Sequence, residues 1–122
     1  MTAQYAVKFY RLVYETMDPL NGRIQAFGGL FLPQNVGQAL PLMSYQHGTI
    51  TLTNDAPSGG NGSENLAGLI FASSGYATLM ADYLGLGSGP GFHPWLHARS
   101  EATACAACAY DVHTGESCEP TW

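Results

Sequence analysis

The residues best placed to do chemistry are a histidine and a glycine that end a short apolar run. Residues 41–46 begin with a proline, and His47 and Gly48 follow them directly. A run of that length, bounded by Pro and Gly, is typical of a strand buried on both faces of a sheet. The turn after such a strand presents backbone N–H groups at its C-terminal end, where ligands bind in open α/β sheets. We therefore predict a ligand-binding turn at residues 47–49.

A zinc site is a second candidate. Cys105 and Cys108 have Cys-x-x-Cys spacing, and His113 and Cys118 bring the number of ligands to four. However, the first two cysteines fall on a predicted helix, and no second tight pair closes the site. We therefore expect no metal and interpret the cysteines as free thiols. An odd number of three cysteines gives no disulfide framework, so the cysteines do not indicate whether the compartment is oxidising or reducing.

Asp82 and the glycine-dense loop after it form a third candidate. Glycine stands at every second position over residues 85–91, but Pro90 takes the third glycine's place in Gly-x-Gly-x-x-Gly. No dinucleotide or other cofactor is therefore expected. We interpret Asp82 as a cap of the loop's backbone N–H groups rather than as a catalytic acid. His93 and His97 are interpreted as loop and helix-surface histidines, because the proline between them disfavours a shared helix face.

The elements that must position these residues follow the order strand, strand, strand, helix, strand, helix. An Asn-Gly turn joins the first two strands, and a Gly-Gly pair in the second indicates a bulge or a close backbone approach. Predicted strands cover residues 7–16, 23–32, 40–46 and 76–81, and predicted helices cover 64–74 and 96–109. This order predicts an α/β fold with an antiparallel start and a parallel continuation.

Helix ends and one loop can be predicted in more detail. Ser63 is expected to cap the first helix, Gly75 to end it, and Leu66, Leu69 and Ile70 keep helical spacing. The preceding loop, residues 54–62, carries no core-forming residue, and long loops of this kind are usually functional or disordered.

Composition limits the classes of function. The chain has 122 residues, a net charge of -5 and only four Lys or Arg residues, which argues against nucleic acid as a partner. The hydrophobic fraction of 46% allows one small domain or part of a larger one. The charged fraction of 11% is low for a domain that stands alone in solution. It suggests that part of the domain surface is covered. No apolar run is long enough for a transmembrane segment.

A series of short motifs occurs in order along the chain. They are YQHGT (45–49), DAPS (55–58), SGY (74–76), DYLGLG (82–87), HPWLHA (93–98) and SEA (100–102). This ordered set resembles the N-terminal half of α/β-hydrolases of the secretory-lipase and esterase type, over roughly residues 9–104. The resemblance implies an incomplete α/β-hydrolase sheet with strand order 1-2-4-3. It also implies a serine hydrolase that acts on small carboxylic esters or lipids.

The resemblance further implies site residues. Gly48 and Thr49 would contribute to the oxyanion hole, with the Thr49 N–H as the main donor. A backbone N–H fixed at a strand end needs no reorganisation when charge develops on the substrate oxygen. His47 would steer the turn without acting as the catalytic base, and Asp82 and Tyr83 would shape the site.

The nucleophile of that family is missing from the sequence. Its serine lies in Gly-x-Ser-x-Gly, and no serine here has both glycines. The nearest, Ser117, has Glu119 where the second glycine belongs, and no apolar strand precedes it. We therefore expect no catalytic residue in this chain and no activity of the chain alone.

The similarity stops at about residue 103. We expect an N-terminal hydrolase-like domain at residues 1–104 and a poorly ordered, cysteine-containing tail at 105–122. A truncated or frame-altered product is the simplest explanation. The cellular compartment is not determined by the sequence. The resemblance suggests a secreted or cell-envelope protein, whereas the lack of a visible signal peptide is typical of a cytoplasmic protein.

A second class of function also stays open, namely a small non-catalytic binding protein built on half of the hydrolase fold. Without a fifth strand, the third strand at residues 40–46 becomes an uncharged, exposed edge. Such an edge favours self-association or a partner.

Overall fold

The computed structural model describes residues 3–95, 97–114 and 118–120, with side chains described as far as residue 109. The elements in chain order are strands β1 (Val7–Met17), β2 (Arg23–Pro33) and β3 (Leu42–Ser44), helix α1 (Asn65–Ser73), strand β4 (Ala77–Ala81), helix α2 (Ala98–Thr114) and strand β5 (Cys118–Pro120). The sheet order is β3-β4-β2-β1-β5, with β3 parallel to β4 and every other pair antiparallel. The α/β class and the order 1-2-4-3 are confirmed, and β5 is a fifth strand beside β1 that was not predicted.

The first two strands form a hairpin because Asp18 fixes the turn between them. Its Oδ1 accepts hydrogen bonds from the Leu20 N–H at 2.9 Å and the Gly22 N–H at 2.8 Å. Asn21 adopts a left-handed conformation with φ 64°, which asparagine tolerates better than most residues. The predicted turn is therefore present, and the pairing runs without interruption from Val7 with Pro33 to Met17 with Arg23.

The Gly28-Gly29 pair allows two layers to approach β2 closely. A Cβ on Gly28 would lie 2.8 Å from the Met80 carbonyl oxygen, and one on Gly29 would lie 2.8 Å from the Phe9 ring. Because the pairing with β1 continues through both positions, the pair marks a close backbone approach and not a bulge.

The core has one layer on each face of the sheet. Beneath α2 the buried residues are Leu12, Tyr14, Ala26, Leu30, Leu79, Ala81, Leu84 and Cys108. Beneath α1 they are Phe9, Phe31, Ala72 and Met80. All five residues of β4 are buried, because this strand has a neighbour on both sides and a helix over each face.

Helix α1 turns its small residues toward the sheet. Gly68 is so close to the Phe31 ring and the Met80 sulfur that a Cβ would collide with both. Leu66, Leu69 and Ile70 are therefore on the exposed side, even though their spacing is helical as predicted. The helix begins at Asn65 with Glu64 and not Ser63 at the cap position, and Gly75 follows its end with φ 109°.

The loop before α1 differs from the prediction, because it contributes to the core. It contains two short 3₁₀ turns, Thr53–Asp55 and Pro57–Gly59, and Ala56, Pro57 and Ser58 are buried. Sequence composition missed this because the burial depends on a distant partner, Asp82, described below.

Strand β3 lies at the edge of the sheet within the described residues. Leu42 and Ser44 are exposed, which agrees with the exposed edge expected for this strand, whereas the burial on both faces that its apolar run indicates is wrong. The strand is also shorter than predicted, whereas α2 extends past residue 109 to Thr114. Helix α2 continues across residue 104, the predicted boundary. The poorly ordered tail at 105–122 stays a prediction. Neither described helix is long and apolar enough to cross a bilayer.

Candidate functional site

The predicted turn lies at the C-terminal ends of the two parallel strands. The Tyr45 N–H donates to the Leu79 carbonyl at 2.8 Å and continues the pairing one residue beyond β3. The chain then turns through His47 and Gly48 beside Asp82, the residue directly after β4. This is the end of an open α/β sheet at which ligands bind.

Both ring nitrogens of His47 lie against backbone carbonyl oxygens. Nδ1 lies 2.6 Å from the Gly48 carbonyl oxygen, and Nε2 lies 3.1 Å from the Asp82 carbonyl oxygen. The ring is buried, and its centroid lies 4.5 Å from that of Tyr83. A neutral imidazole has one N–H, so one ring nitrogen donates to the carbonyl oxygen that it faces, and which one depends on the tautomer.

Gly48 and Thr49 are exposed at the mouth of a cleft. Within the described part of the chain, their N–H groups donate to no carbonyl or side chain. The cleft has a volume of about 220 Å³. Its lining comprises His47, Gly48, Thr49, Ile50, Tyr83, Leu86, His93, Trp95 and Glu101.

Asp82 is fully buried, and its carboxylate holds the turn at Ser58. Oδ1 accepts the Ser58 N–H at 2.7 Å, and Oδ2 accepts the Ser58 hydroxyl. Burial raises the pKa of Asp82, while the Ser58 hydrogen bonds and the charges of His47 and Arg11 oppose that rise. The predicted cap of the glycine loop is therefore corrected: the carboxylate caps the turn before α1.

The glycine loop packs against this pair without being capped by it. Gly87 has φ 62°, and a Cβ there would collide with the Asp82 carboxylate and lie 2.8 Å from the Ser58 Oγ. Only glycine fits both the left-handed backbone and the space.

Ser58, Asp82 and His47 do not form a catalytic triad. The Ser58 hydroxyl donates to Asp82 directly, and His47 contacts the backbone carbonyl of Asp82 and not the serine. His47 is therefore not placed to act as a base for the Ser58 hydroxyl.

Tyr83 joins the turn to α2. It has φ 68°, and its hydroxyl donates to the Gln46 Oε1 at 2.9 Å, an oxygen that also accepts the Cys105 thiol at 2.6 Å. Burial, with the nearby Cys105 and Glu101, raises the pKa of Tyr83 to about 12. Burial also raises the pKa of Cys105, so this thiol is protonated at neutral pH and is not an activated nucleophile.

The remaining histidines and cysteines whose side chains are described, His93, His97, Cys105 and Cys108, do not converge on a metal. His93 Nδ1 donates to the Leu84 carbonyl at 2.8 Å, and His97 Nδ1 accepts the Ser100 N–H at 3.2 Å. Among the described residues no group of three His, Cys, Asp or Glu could hold a metal ion. The side chains of His113 and Cys118 lie outside the described residues.

Four residues of the site were not recognised individually from the sequence: Gln46, Ser58, Trp95 and Glu101. Each belongs to one of the short motifs, and that membership was the one signal available. Their roles depend on contacts between residues far apart in the chain.

Comparison with known proteins supports the interpretation of the fold. No protein-family model and no curated protein matches the sequence. The structure is similar to that of a predicted hydrolase from Legionella pneumophila, with a TM-score of 0.83 and 30% identity over 93% of this chain and 31% of that one. It is also similar to the rice cell wall degrading esterase LipA from Xanthomonas oryzae, with a TM-score of 0.80 and 27% identity over 93% of this chain and 31% of that one. The esterase Est22 shares the fold alone, at 21% identity and a TM-score of 0.56.

The chain therefore has part of an α/β-hydrolase fold. It spans 31% of the length of both the Legionella protein and the Xanthomonas esterase.

Proposed function

We propose that this chain is the oxyanion-binding part of a serine carboxylic-ester hydrolase whose substrates are small esters or lipids. The carrying observation is that Gly48 and Thr49 are exposed just beyond the carboxyl end of β3 and line a cleft. Their N–H groups have no acceptor in the described part of the chain, and His47 contacts the turn. Donors fixed before the reaction stabilise the charge that develops on an ester oxygen. The similarity to the Xanthomonas esterase favours ester hydrolysis as the reaction.

We infer that the chain alone does not hydrolyse esters, because it supplies no nucleophile. No serine of the sequence stands in Gly-x-Ser-x-Gly, and the hydroxyl of buried Ser58 is bonded to Asp82. A p-nitrophenyl acetate assay and a fluorophosphonate probe test this inference. We expect neither turnover nor labelling, and labelling of any serine would overturn it.

A chimera tests the oxyanion role directly. Residues 9–104 replace the matching part of the Xanthomonas esterase, whose remaining chain supplies the regions absent here. In this chimera, Thr49→Pro removes the N–H and should lower kcat by about 10²–10³-fold, as loss of one oxyanion donor does. Thr49→Ala keeps the N–H and is the matched control. Equal kcat in the two folded variants, checked by circular dichroism, would show that the Thr49 N–H has no such role.

A second candidate, a non-catalytic binding module, is favoured by the exposed edge of β3. The edge carries no charge, and Leu42 is 45% exposed on it. We propose that it pairs with a second copy of this chain. Analytical ultracentrifugation should show an oligomer that Leu42→Lys dissociates. Leu20→Lys is the control, because Leu20 is exposed in the hairpin turn. A monomer at all concentrations would exclude this pairing.

A further inference from the structure

Four aromatic rings line one side of the cleft in succession. The ring centroids of His47 and Tyr83 are 4.5 Å apart, those of Tyr83 and His93 6.4 Å, and those of His93 and Trp95 4.5 Å. Trp95 is 56% exposed, so its ring is open to a ligand. The faces of Trp and Tyr rings carry partial negative charge and attract cations.

A carboxylate completes this wall. Glu101, in the first turn of α2, lines the same cleft and lies close enough to Tyr83 to raise the pKa of its phenol. None of the four Lys or Arg residues of the sequence lines the cleft. Among the described residues Arg23 with Glu15 is the one ion pair, and Arg99 donates instead to Asn21. The Glu101 charge therefore has no basic partner in the described part of the chain.

We propose that this cleft binds a quaternary ammonium group, carried by the alcohol part of the ester substrate. The inference rests on the proposed ester chemistry for the substrate class, because Thr49, the proposed oxyanion donor, lines the same cleft as Trp95 and Glu101. The volume of about 220 Å³ suits a small headgroup, since pockets for drug-sized ligands begin at about 300 Å³.

The charge of the cleft favours a cation over a neutral aromatic or alkyl group. An aromatic wall alone would accept either, but an unpaired carboxylate stabilises only the cation. An anionic ligand is disfavoured by Glu101 and by the net charge of -5.

Binding to the chain as it stands tests the proposal without any hydrolysis. Choline chloride and its neutral isostere 3,3-dimethylbutan-1-ol are titrated separately and followed by NMR. We expect choline to shift the Trp95 indole signal and to bind about two- to fivefold more tightly than the isostere, the ratio expected for cation–π attraction at an exposed site. Phosphatidylcholine vesicles in a flotation assay distinguish a lipid headgroup from a soluble ester as the source of the ammonium group.

Two variants and two controls locate the site. Trp95→Ala and Glu101→Gln should each weaken choline binding about threefold or more, and Glu101→Gln should remove most of the preference over the isostere. Phe92→Ala, which changes a fully exposed ring on the same loop outside the cleft lining, should leave binding unchanged. Glu15→Gln removes the same charge outside the cleft and should also have no effect.

Equal affinity for choline and the isostere in the unmodified chain would overturn the proposal, even if a variant failed to fold. The outcome is separate from that of the proposed function. A chimera that hydrolyses neutral esters while the chain ignores choline would leave the oxyanion role standing and remove only the ammonium site.

Discussion

The carboxylate of Asp82 holds Ser58 by two hydrogen bonds, one from its N–H at 2.7 Å and one from its hydroxyl. The two residues are 24 positions apart, and their contact ties the end of β4 to the turn before α1. His47 contacts the Asp82 carbonyl oxygen, so the turn at residues 47–49, the Ser58 turn and the end of β4 all meet at Asp82.

Replacing Asp82 should therefore destabilise the fold strongly. Asp82→Ala leaves a buried N–H and a buried hydroxyl without an acceptor, and we expect a loss of about 3 kcal/mol in the free energy of unfolding. Ser58→Ala removes one hydrogen bond to the carboxylate and should cost about 2 kcal/mol. Denaturant unfolding measures both, with the exposed Asp55→Ala as control. A loss below that of Ser58→Ala would show that the Asp82 contact does not support the turn.

The raised pKa of Asp82 makes stability depend on pH with a defined sign. Because the folded state binds the proton more tightly than the unfolded one, stability falls as pH rises from the ordinary carboxyl pKa of about 3.9 through the raised value. Asp82→Asn lacks this titration, so the stability of the native chain relative to this variant should decrease over that interval. A difference between the two that is constant across the interval would contradict the assigned cause.

Alanine substitutions at Gly87 and Gly91, which have similar backbone conformations, distinguish steric crowding of a Cβ atom from backbone strain. Gly87→Ala meets both a left-handed φ of 62° and the Asp82 carboxylate. Gly91→Ala meets only the φ of 82°, since no atom of the described residues lies within 4 Å of its Cβ position. We expect Gly91→Ala to cost about 1 kcal/mol and Gly87→Ala at least about 3 kcal/mol, measured by thermal or denaturant unfolding. Equal losses would show that the glycine loop does not pack against Asp82 as described.

The Tyr83 phenol should lose its proton at a higher pH than an ordinary tyrosine does. Its pKa of about 12 in the folded chain lies above the ordinary value of 10.0, so stability should fall as pH rises from 10 toward 12. Ultraviolet titration of the phenols should show a step near 12 that Tyr83→Phe removes. Burial also raises the pKa of Tyr14, so the variant is needed for the assignment. Loss of a step near 10 in Tyr83→Phe would show that this phenol is not held as described.

The sequence predicts the features that depend on neighbouring residues. The hairpin follows from Asp18 and Asn21, the end of α1 from Gly75, and the strand order from the α/β pattern together with the family resemblance. In each of the first two cases the controlling hydrogen bond or conformation lies within a few positions of the signal.

Features that depend on distant residues could not be predicted. The helical spacing of Leu66 and Leu69 does not show which face packs on the sheet, because Gly68 brings α1 so close to Phe31 that the small-residue face packs inward. In the site, Gly48 and Thr49 lie at the expected strand end. The acceptor for Ser58 is Asp82, 24 positions away in the chain, and only the fold brings the two together.

The position of β4 has a consequence for the order in which the sheet can assemble. Within the described residues β3 pairs with β4 alone, and β4 pairs with β2, so β3 has no place in the sheet until β4 has docked. Strand β3 precedes β4 in the chain, and the Ser58 turn and α1 lie between them. During synthesis β3 is therefore complete before its partner strand β4 exists. The closure of these distant contacts slows folding relative to the local β1–β2 hairpin. We therefore expect the turn at residues 47–49, which lies just beyond β3, to be among the last parts of this sheet to take shape.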